Sequence, residues 1–202
     1  MLFCTCVSIC FNVACIYGDP HIVTLDGHKY TFNGKGEFIL IETDDGTFTL
    51  QGRMAEAINS FGQEAGATVF TSLVLKEVDS DTVQVDLTPD GLVALVNGEK
   101  VDFGNMTKLE FDQVNVEKGA NQTITVTFGS GTFMEVTSAN DIISTMVVSL
   151  PTVMQGLTRG LMGNYNGNIT DDLQSKNEST TVSLNSSLED IHYSFGITCE
   201  PH

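Results

Sequence analysis

The stretch YGDPHIVTLDGHKYTFNGKGEFILIE, residues 17–42, decides the fold of this chain. Polar and apolar side chains alternate around Tyr30 and Phe32, and an apolar run follows at residues 38–41. Alternation with a period of two, interrupted by glycine, is typical of short β-strands. The quartet GDPH, residues 18–21 and called the GDPH turn below, suits the start of a strand, because Asp accepts local hydrogen bonds and Pro fixes φ.

The same period continues through most of the chain. Val, Ile, Thr and Phe recur in short runs, and the turn signals TPDGL (88–92), VNGEK (96–100) and FGSGTF (128–133) separate them. Residues 54–67 are predicted to form a loop because glycines interrupt them. After Pro151, Gly, Asn and Asp replace the strand formers. The pattern predicts an all-β fold of two packed antiparallel sheets, similar to a β-sandwich, with a long Asn/Asp/Gly-rich loop near the C-terminus.

Composition limits the classes of partner. The chain has 202 residues, with Lys+Arg 9 against Asp+Glu 26 and a formal net charge of −17. Such a surface repels phosphate backbones and anionic lipid headgroups, so we expect no nucleic acid partner. After the first residues no apolar segment reaches the length of a membrane span, and we expect no direct membrane insertion by this domain. Divalent cations and basic proteins are the natural partners of an acidic chain.

The compartment is indicated by glycosylation motifs and by the N-terminus. Residues 1–16 are apolar and lack a positively charged start, so they are either a poor signal peptide or a stub of a longer protein, and we favour the stub. The folded domain is then predicted at residues 17–198, followed by a tail at 199–202. Crowded Asn-x-Ser/Thr motifs favour a secreted protein or the extracellular face of the plasma membrane. These motifs place candidate glycans on Asn105, Asn121, Asn168, Asn177 and Asn185.

The cysteines lie at the two ends of the chain. Four of the 5 cysteines precede residue 16, and Cys199 stands near the C-terminus. A disulfide from the N-terminal cluster to Cys199, with Cys15 as the candidate partner, would clip the two ends of the domain together. Because the number of cysteines is odd, at least one thiol is either free or paired outside the chain. A zinc site at Cys4, Cys6 and Cys10 is disfavoured, because no second ligand pair follows.

Residues 160–173, GLMGNYNGNITDDL, are called the Asn/Asp loop below. Carboxylates, amides and backbone carbonyls alternate through a chain that glycines bend, which is the oxygen-rich arrangement that Ca²⁺ prefers. The loop supplies few carboxylates, so a remote acid such as Asp26 is needed to complete a ligand shell. The alternative is a plain Asn/Gly turn with an accidental pair of acids. The candidate ligands within the loop are Asn164, Asn166, Asn168, Asp171 and Asp172.

Taken together, the GDPH stretch, the β-rich body, the Asn/Asp loop and the closing YSFG resemble the von Willebrand factor type D domain over residues 17–198. The family usually reads Gly-Leu-Cys-Gly-Asn in the loop, and Met162 replaces that cysteine here. The chain also lacks the internal cysteines of gel-forming members. In this respect it is similar to the branch found in membrane mucins with AMOP modules and in sushi-domain-containing surface proteins. The departure argues against a role in disulfide-linked multimers.

The resemblance implies a calcium site that joins the Asp-Gly aspartate to the Asn/Asp loop. Asn166 stands where many members have Asp, which implies a lower affinity, and a glycan on Asn168 would crowd the loop. The implied ligands are Asp26, the side chains of Asn164, Asn166, Asp171 and Asp172, and the backbone carbonyl of Asn168.

The Asp19-Pro20 bond is chemically labile. The Asp carboxyl can attack its own carbonyl carbon through a five-membered ring, and the proline amide protonates readily. His21 or His28 is the candidate proton donor. The resemblance implies that some members cut themselves at this bond and that their fragments stay associated. The alternative is that GDPH only starts a strand, and both interpretations stay open at this point.

Two functions follow. The first is a non-enzymatic, calcium-stabilised structural or adhesion module of a larger mucin-like or cell-surface protein, whose partners are other modules of that protein and extracellular proteins. The second is a self-processing module with a single-turnover cut at Asp19-Pro20. A true hydrolase is disfavoured, since no Gly-x-Ser-x-Gly elbow occurs and no histidine lies between His28 and His192.

Overall fold

The computed structural model describes residues 13–58, 61–175 and 179–201. Within these ranges the chain forms two antiparallel sheets, and the all-β prediction is confirmed. The strands are β1 (Val13–Tyr17), β2 (His21–Val23), β3 (Lys29–Thr31), β4 (Gly36–Thr43), β5 (Phe48–Ile58), β6 (Glu64–Glu77), β7 (Val83–Thr88), β8 (Gly91–Val96), β9 (Glu99–Lys100), β10 (Lys108–Phe111), β11 (Val114–Gly119), β12 (Thr123–Phe128), β13 (Phe133–Ala139), β14 (Ile142–Ser149) and β15 (Thr158–Arg159).

The order of the strands separates the chain into two layers. The first sheet has the order β10-β11-β12-β13-β14-β1-β2-β3, and the second has the order β15-β4-β5-β6-β7-β8-β9. Most neighbours in the sheets are also neighbours in sequence, as expected for hairpins with short turns. There are two exceptions: β1 pairs with β14 as well as with β2 in the first sheet, and β15 pairs with β4 at the edge of the second sheet.

The core lies between the two sheets. Strand β12 illustrates how alternate residues face the core. Its residues Ile124, Val126 and Phe128 are buried, whereas the intervening threonines are half-exposed. Phe128 meets Phe48 of the second sheet edge-to-face, with ring centroids 6.5 Å apart. Each fully buried side chain of this kind contributes about 1.5–3 kcal/mol to the free energy of unfolding.

The folded domain extends beyond both predicted boundaries. Residues 13–16, assigned above to the leader or stub, belong to β1 in the interior of the first sheet. At the other end, Cys199 closes a 3-10 turn, Gly196–Cys199, and is buried in the core rather than in a tail. The sequence missed both boundaries because the flanking residues carry no turn signal that sets them apart.

The predicted loop at residues 54–67 is mostly strand. β5 runs to Ile58 and β6 begins at Glu64, so these residues form the distal arms of a long hairpin. Register shifts at Arg53/Met54 and Glu56/Ile58 show that the ladder is irregular there. Of the two glycines in this range, Gly66 lies within β6 near the irregular part of the ladder, and Gly62 lies in the bend that connects β5 to β6.

The two cysteines of the predicted disulfide, Cys15 and Cys199, are both buried, and a bond between them stays a prediction. Cys15 alternates along β1 with Ala14 and Ile16, which join the main core, whereas Cys15 is buried outside that cluster. Cys199 lies within the core cluster. Strand alternation therefore places the Cys15 side chain on the face of β1 opposite to Ala14 and Ile16. The other cysteines of the N-terminal cluster, Cys4, Cys6 and Cys10, lie outside the described residues.

The C-terminal segment covers one edge of the first sheet. A short helical segment, Leu188–Asp190 continued by the π-helical turn Ile191–Phe195, packs Phe195 edge-on against Tyr30, with ring centroids 6.1 Å apart. Gly196 lies so close to the Phe32 ring that a side chain there would overlap it. Among the helices in the described ranges, none is long and apolar enough to cross a membrane.

Candidate functional site

The fold brings the Asn/Asp loop against the turn between β2 and β3. The N–H of Leu25 donates to the carbonyl of Met162 at 2.9 Å, and the N–H of Met162 donates to the carbonyl of Leu40 at 2.9 Å. The Asp26 carboxylate accepts the backbone N–H of Asn166 at 2.9 Å. Asp26 and the loop therefore meet across 140 residues of sequence, as the candidate ligand set requires.

Asp171 organises the amides of the loop. Its carboxylate accepts from the side chains of Asn164 at 3.0 Å, Asn166 at 3.2 and 3.3 Å, and Asn168 at 2.9 Å. Burial alone would raise the pKa of Asp171, but these amide hydrogen bonds together lower it. Asp171 thus stays ionised and holds three of the predicted ligand residues in one cluster.

Asp172 has a different environment. Its side chain is almost fully buried, at 2% relative exposure, and Oδ2 accepts a 2.6 Å hydrogen bond from the Thr24 hydroxyl. Burial is the main cause that raises the pKa of Asp172 to about 7, and the charges of Asp26 and Asp171 act in the same direction, against the lowering effect of the Thr24 hydrogen bond. A carboxylate in this position is stabilised by any positive charge placed beside it.

Among the described residues, three buried oxygens of this region have no hydrogen-bond partner, namely the Tyr165 hydroxyl and, from the candidate ligands, Asp172 Oδ1 and Asn164 Oδ1. Burying a polar oxygen in this way is unfavourable unless another group satisfies it. Gly163, at φ +82°, leaves room beside Asp172 Oδ1, because a side chain at that position would overlap it. A cavity of about 210 Å³ opens here, lined by Asn164, Asn166 and Asp172.

The donors of the site fit a hard cation. They are carboxylate, amide and carbonyl oxygens, which Ca²⁺ prefers, with no sulfur or imidazole among the candidate ligands. Within the described ranges, no three His, Cys, Asp or Glu side chains converge on a point that could hold a metal. Neutral amides therefore have to supply much of the ligand set. The backbone carbonyl of Asn168 is turned toward the N–H of Asp171, at 3.4 Å.

The GDPH turn lies on the other side of the β2–β3 hairpin. β2 begins at His21, as the strand-start interpretation expects, and Gly18 has φ +66°. His21 Nε2 lies 3.4 Å from Asp19 Oδ1, and His21 Nδ1 lies 2.9 Å from the Thr31 hydroxyl. His28, the alternative proton donor, is buried, stacks on Tyr30 and has a pKa lowered by that burial. His21 is therefore the histidine that the structure places at the Asp19-Pro20 bond.

The described sequon asparagines all lie on the surface. Asn105, Asn121 and Asn185 are exposed, and Asn121 occupies the tip of the β11–β12 hairpin with φ +58°. Asn168 is also exposed, but its amide nitrogen donates to Asp171 and its Oδ1 accepts from Thr170. The fifth predicted site, Asn177, lies outside the described residues. Glycosylation at these positions stays a prediction.

The family model for the von Willebrand factor type D domain matches residues 14–179 of this chain. The chain belongs to this family. The match begins in β1 and runs past the Asn/Asp loop, so it includes both the GDPH turn and the candidate calcium ligands. The resemblance drawn from the two motifs is thereby confirmed.

Several relatives contain a similar von Willebrand factor type D domain segment. Protein mesh of Bombyx mori is 38% identical over 176 residues, covering 80% of this chain and 11% of mesh. Human Sushi domain-containing protein 2 is 33% identical over 163 residues, covering 80% of this chain and 20% of that protein. Human mucin-4 is 33% identical over 199 residues, covering 92% of this chain and 4% of mucin-4. The chain thus spans a fifth or less of the length of these relatives.

Sequence reasoning missed two residues of this von Willebrand factor type D domain. Thr24 orients Asp172, and Thr31 contacts His21. A signal for Thr31 was present, because a hairpin centred on Asp26 pairs residues equidistant from it, and His21 and Thr31 are such a pair. Thr24 had no comparable signal, since its partner lies 148 residues away.

Proposed function

We propose that this von Willebrand factor type D domain is an extracellular structural or adhesion module of a larger protein, and that calcium bound at the Asn/Asp loop stabilises it. The small share of each relative that the chain covers supports a modular role. The net charge of −17 and the exposed sequons support a secreted or cell-surface location. Its partners are then other modules of the same protein and extracellular proteins.

The pair of buried, unsatisfied oxygens carries the calcium proposal. Asp172 and Asn164 would hold the ion through these oxygens, with Asp26, Asn166, Asp171 and the carbonyl of Asn168 completing the ligand set. Because the three carboxylates do not converge on one point among the described residues, Asp26 and Asp171 would have to turn toward the ion. When bound, calcium supplies the positive charge that the buried carboxylate lacks.

The remaining residues of the site position these ligands. Thr24 donates to Asp172 Oδ2, which leaves Oδ1 as the unsatisfied oxygen on the side of Gly163. Asp26 fixes the backbone of Asn166, and Asp171 gathers the amides. Binding to the folded chain alone raises the free energy of unfolding by RT ln(1 + [L]/Kd).

Thermal unfolding in calcium, magnesium and EDTA tests this proposal, together with a calorimetric calcium titration. We expect calcium to raise Tm and magnesium to have little effect, because Mg²⁺ demands a rigid octahedral shell that amide-rich loops do not provide. Asp90→Asn, at the exposed tip of the β7–β8 hairpin, is the matched control and keeps the full calcium response. Equal Tm values in calcium and EDTA would refute the calcium proposal.

A second function, self-processing at Asp19-Pro20, is favoured by the contact of His21 with Asp19. A side-chain oxygen of Asp19 would bond to its own carbonyl carbon, and the bond from that carbon to the Pro20 nitrogen would break. The nitrogen takes a proton and becomes the new N-terminus. Water then opens the cyclic anhydride on Asp19, so the net change is the addition of one water.

Intact mass after incubation at neutral and mildly acidic pH tests the cut. We expect a break between Asp19 and Pro20 in the folded chain, a slower one in urea, and none in Asp19→Asn, which cannot form the anhydride. A rate independent of protein concentration identifies an intramolecular reaction. Cleavage that persists in Asp19→Asn would exclude this mechanism.

A further inference from the structure

Three side chains form a row across the outer face of the first sheet. Tyr17 of β1 is paired with His21 of β2, and His21 is paired with Thr31 of β3. Residues in register on adjacent strands lie on the same face, where their side chains contact each other. The row therefore places two neighbours from separate strands on either side of His21.

Contacts at both ring nitrogens define the orientation of His21. Nδ1 lies 2.9 Å from the Thr31 hydroxyl, and Nε2 lies 3.4 Å from Asp19 Oδ1. The Tyr17 ring lies 5.1 Å from the imidazole, between centroids, and limits its rotation. Without the hydroxyl of Thr31, no hydrogen bond among those of the described residues would hold Nδ1 away from the GDPH turn.

We propose that Thr31 is a positioning residue that holds His21 with Nε2–H toward the Asp19-Pro20 bond. A hydroxyl suits both states of the ring, because it donates to Nδ1 of the neutral Nε2–H tautomer and accepts from Nδ1–H of imidazolium. In both states the proton on Nε2 faces Asp19. This inference rests on the proposed self-processing and assigns a role to a residue outside the GDPH motif.

The role follows from the chemistry of the cut. When the bond to the Pro20 nitrogen breaks, the leaving nitrogen needs a proton, and imidazolium can release one from Nε2. The ring left behind carries Nδ1–H, which the Thr31 hydroxyl accepts. Water then opens the anhydride and returns a proton, so the ring ends as it began. Thr31 stabilises the ring orientation through this cycle and does not touch the scissile bond.

The experiment compares Thr31→Val, Thr31→Ser and Thr145→Val in the full chain. Thr145 is paired with Tyr17 in the same row, so its replacement removes a hydroxyl from the same face at a residue that is not directly paired with His21. We expect Thr31→Val to slow the cut about tenfold, because misorientation of a catalytic group is costly, and Thr31→Ser to stay within about twofold of the parent. We expect Thr145→Val to cut at the parental rate. A parental rate in Thr31→Val would overturn the proposal.

A second measurement does not depend on cleavage. The ¹⁵N shifts of the His21 ring, recorded in the uncut Asp19→Asn background, report the tautomer. These shifts also respond to hydrogen bonding at each ring nitrogen, so we expect Thr31→Ser, which keeps a hydroxyl beside Nδ1, to keep the parental Nδ1 shift, and Thr31→Val, which removes it, to change that shift. Identical ring shifts in the parent and Thr31→Val would refute the positioning role. If no chain cuts, self-processing fails, while the ring shifts still decide whether Thr31 orients His21.

Discussion

Asp19 in the GDPH turn and Asp172 in the Asn/Asp loop are both candidate functional aspartates, and their environments are opposite. The Asp19 side chain is 64% exposed and lies 3.4 Å from the His21 ring. Asp172 is 2% exposed and accepts a hydrogen bond from the Thr24 hydroxyl, and its second oxygen has no partner among the residues that the structure describes. The first carboxylate is largely exposed to solvent, whereas the second is buried and destabilised as an anion.

The difference shows how one hairpin serves two chemistries. β2 and β3 present His21 and Thr31 at one end, and the turn between them presents Thr24 and Asp26 to the Asn/Asp loop at the other. A ligand site requires buried oxygens held before the ion arrives. A self-cleaving bond requires a carboxylate that can rotate toward its own carbonyl. Each prediction below separates these two requirements.

The largest expected effect is that of Asp172→Asn in calcium. A ligand at one hundred times its Kd stabilises the folded state by about 2.7 kcal/mol, and loss of Asp172 should remove most of this gain. In EDTA above pH 7 the same variant should be at least as stable as the parent, because it buries no charge. Urea unfolding in calcium and in EDTA measures both effects.

Asp19→Asn is the reciprocal control for that prediction. It should abolish the cut at Asp19-Pro20 and leave the calcium gain unchanged, since its side chain lies on the exposed GDPH turn. Asp172→Asn should in turn leave the rate of cutting unchanged. Loss of both properties in either variant would show that the two regions act as one site.

The pH dependence of the calcium-free protein should show the burial of Asp172. Its pKa is raised from 3.8 to about 7 in the folded state, so between these values the folded chain binds more protons than the unfolded chain. The contribution of Asp172 to the free energy of unfolding is therefore complete below about pH 4 and is lost as pH rises through about 7. Each pKa unit of difference between the folded and unfolded states corresponds to at most about 1.4 kcal/mol.

Asp171 has the opposite effect on how stability changes with pH, because the pKa of Asp171 is lowered in the folded state. The difference between the parent and Asp172→Asn in EDTA isolates the contribution of Asp172. Calcium binds the ionised carboxylate, so the calcium gain should increase as pH rises through about 7. A parent and variant with the same pH profile would contradict the burial of this charge.

A matched pair of glycines sharpens the comparison further. Gly163 and Gly18 both have positive φ, at +82° and +66°, so alanine at either position costs about 1 kcal/mol in backbone strain. A side chain at residue 163 would also overlap Asp172 Oδ1, whereas at residue 18 the nearest atom, in His21, lies 3.8 Å away. Gly163→Ala should therefore cost about 1 kcal/mol more than Gly18→Ala and should also weaken calcium binding.

Denaturant midpoints with calorimetric calcium titrations measure this pair. The result would count against the site if Gly163→Ala and Gly18→Ala lost equal stability and bound calcium equally well.

The fold was accessible from sequence because strand signals are local. Alternation such as that of Ile124, Val126 and Phe128, with turn residues between strands, fixes the class without knowledge of contacts. The hairpin arms at residues 54–67 were missed because irregular, glycine-containing strands lose that alternation. β1 was missed because its apolar residues continue the apolar N-terminal run.

The candidate site was accessible only through its motif residues. Asp26 and the loop asparagines carry their chemistry in their own side chains, and the structure brings them together. The burial of Asp172 and the unsatisfied oxygens depend on Thr24, Gly163 and the packing around them, which no short pattern encodes. Sequence therefore indicated which atoms could bind an ion, and the structure showed which of them lack partners.

The smallest expected effect is that of Asn166→Asp, which distinguishes a calcium loop from a hydrogen-bonded turn. Asn166 donates its amide to both oxygens of Asp171, at 3.2 and 3.3 Å, and aspartate would replace that donor with an anion facing an anion. In EDTA the variant should lose about 1 kcal/mol, since a like-charge pair replaces a hydrogen bond between two solvent-accessible side chains.

In calcium the effect of Asn166→Asp on stability should reverse from a loss to a gain. The additional carboxylate ligand tightens calcium binding, by about tenfold for a typical change in ligand charge. Asn140→Asp, on the exposed β13–β14 turn, adds the same charge away from the loop. It should change neither the stability in EDTA nor the stability in calcium. Urea unfolding of both variants with and without calcium measures the reversal. A loss of stability in Asn166→Asp under both conditions would mean that the amides of the loop serve only to hold Asp171, as in a plain Asn/Gly turn.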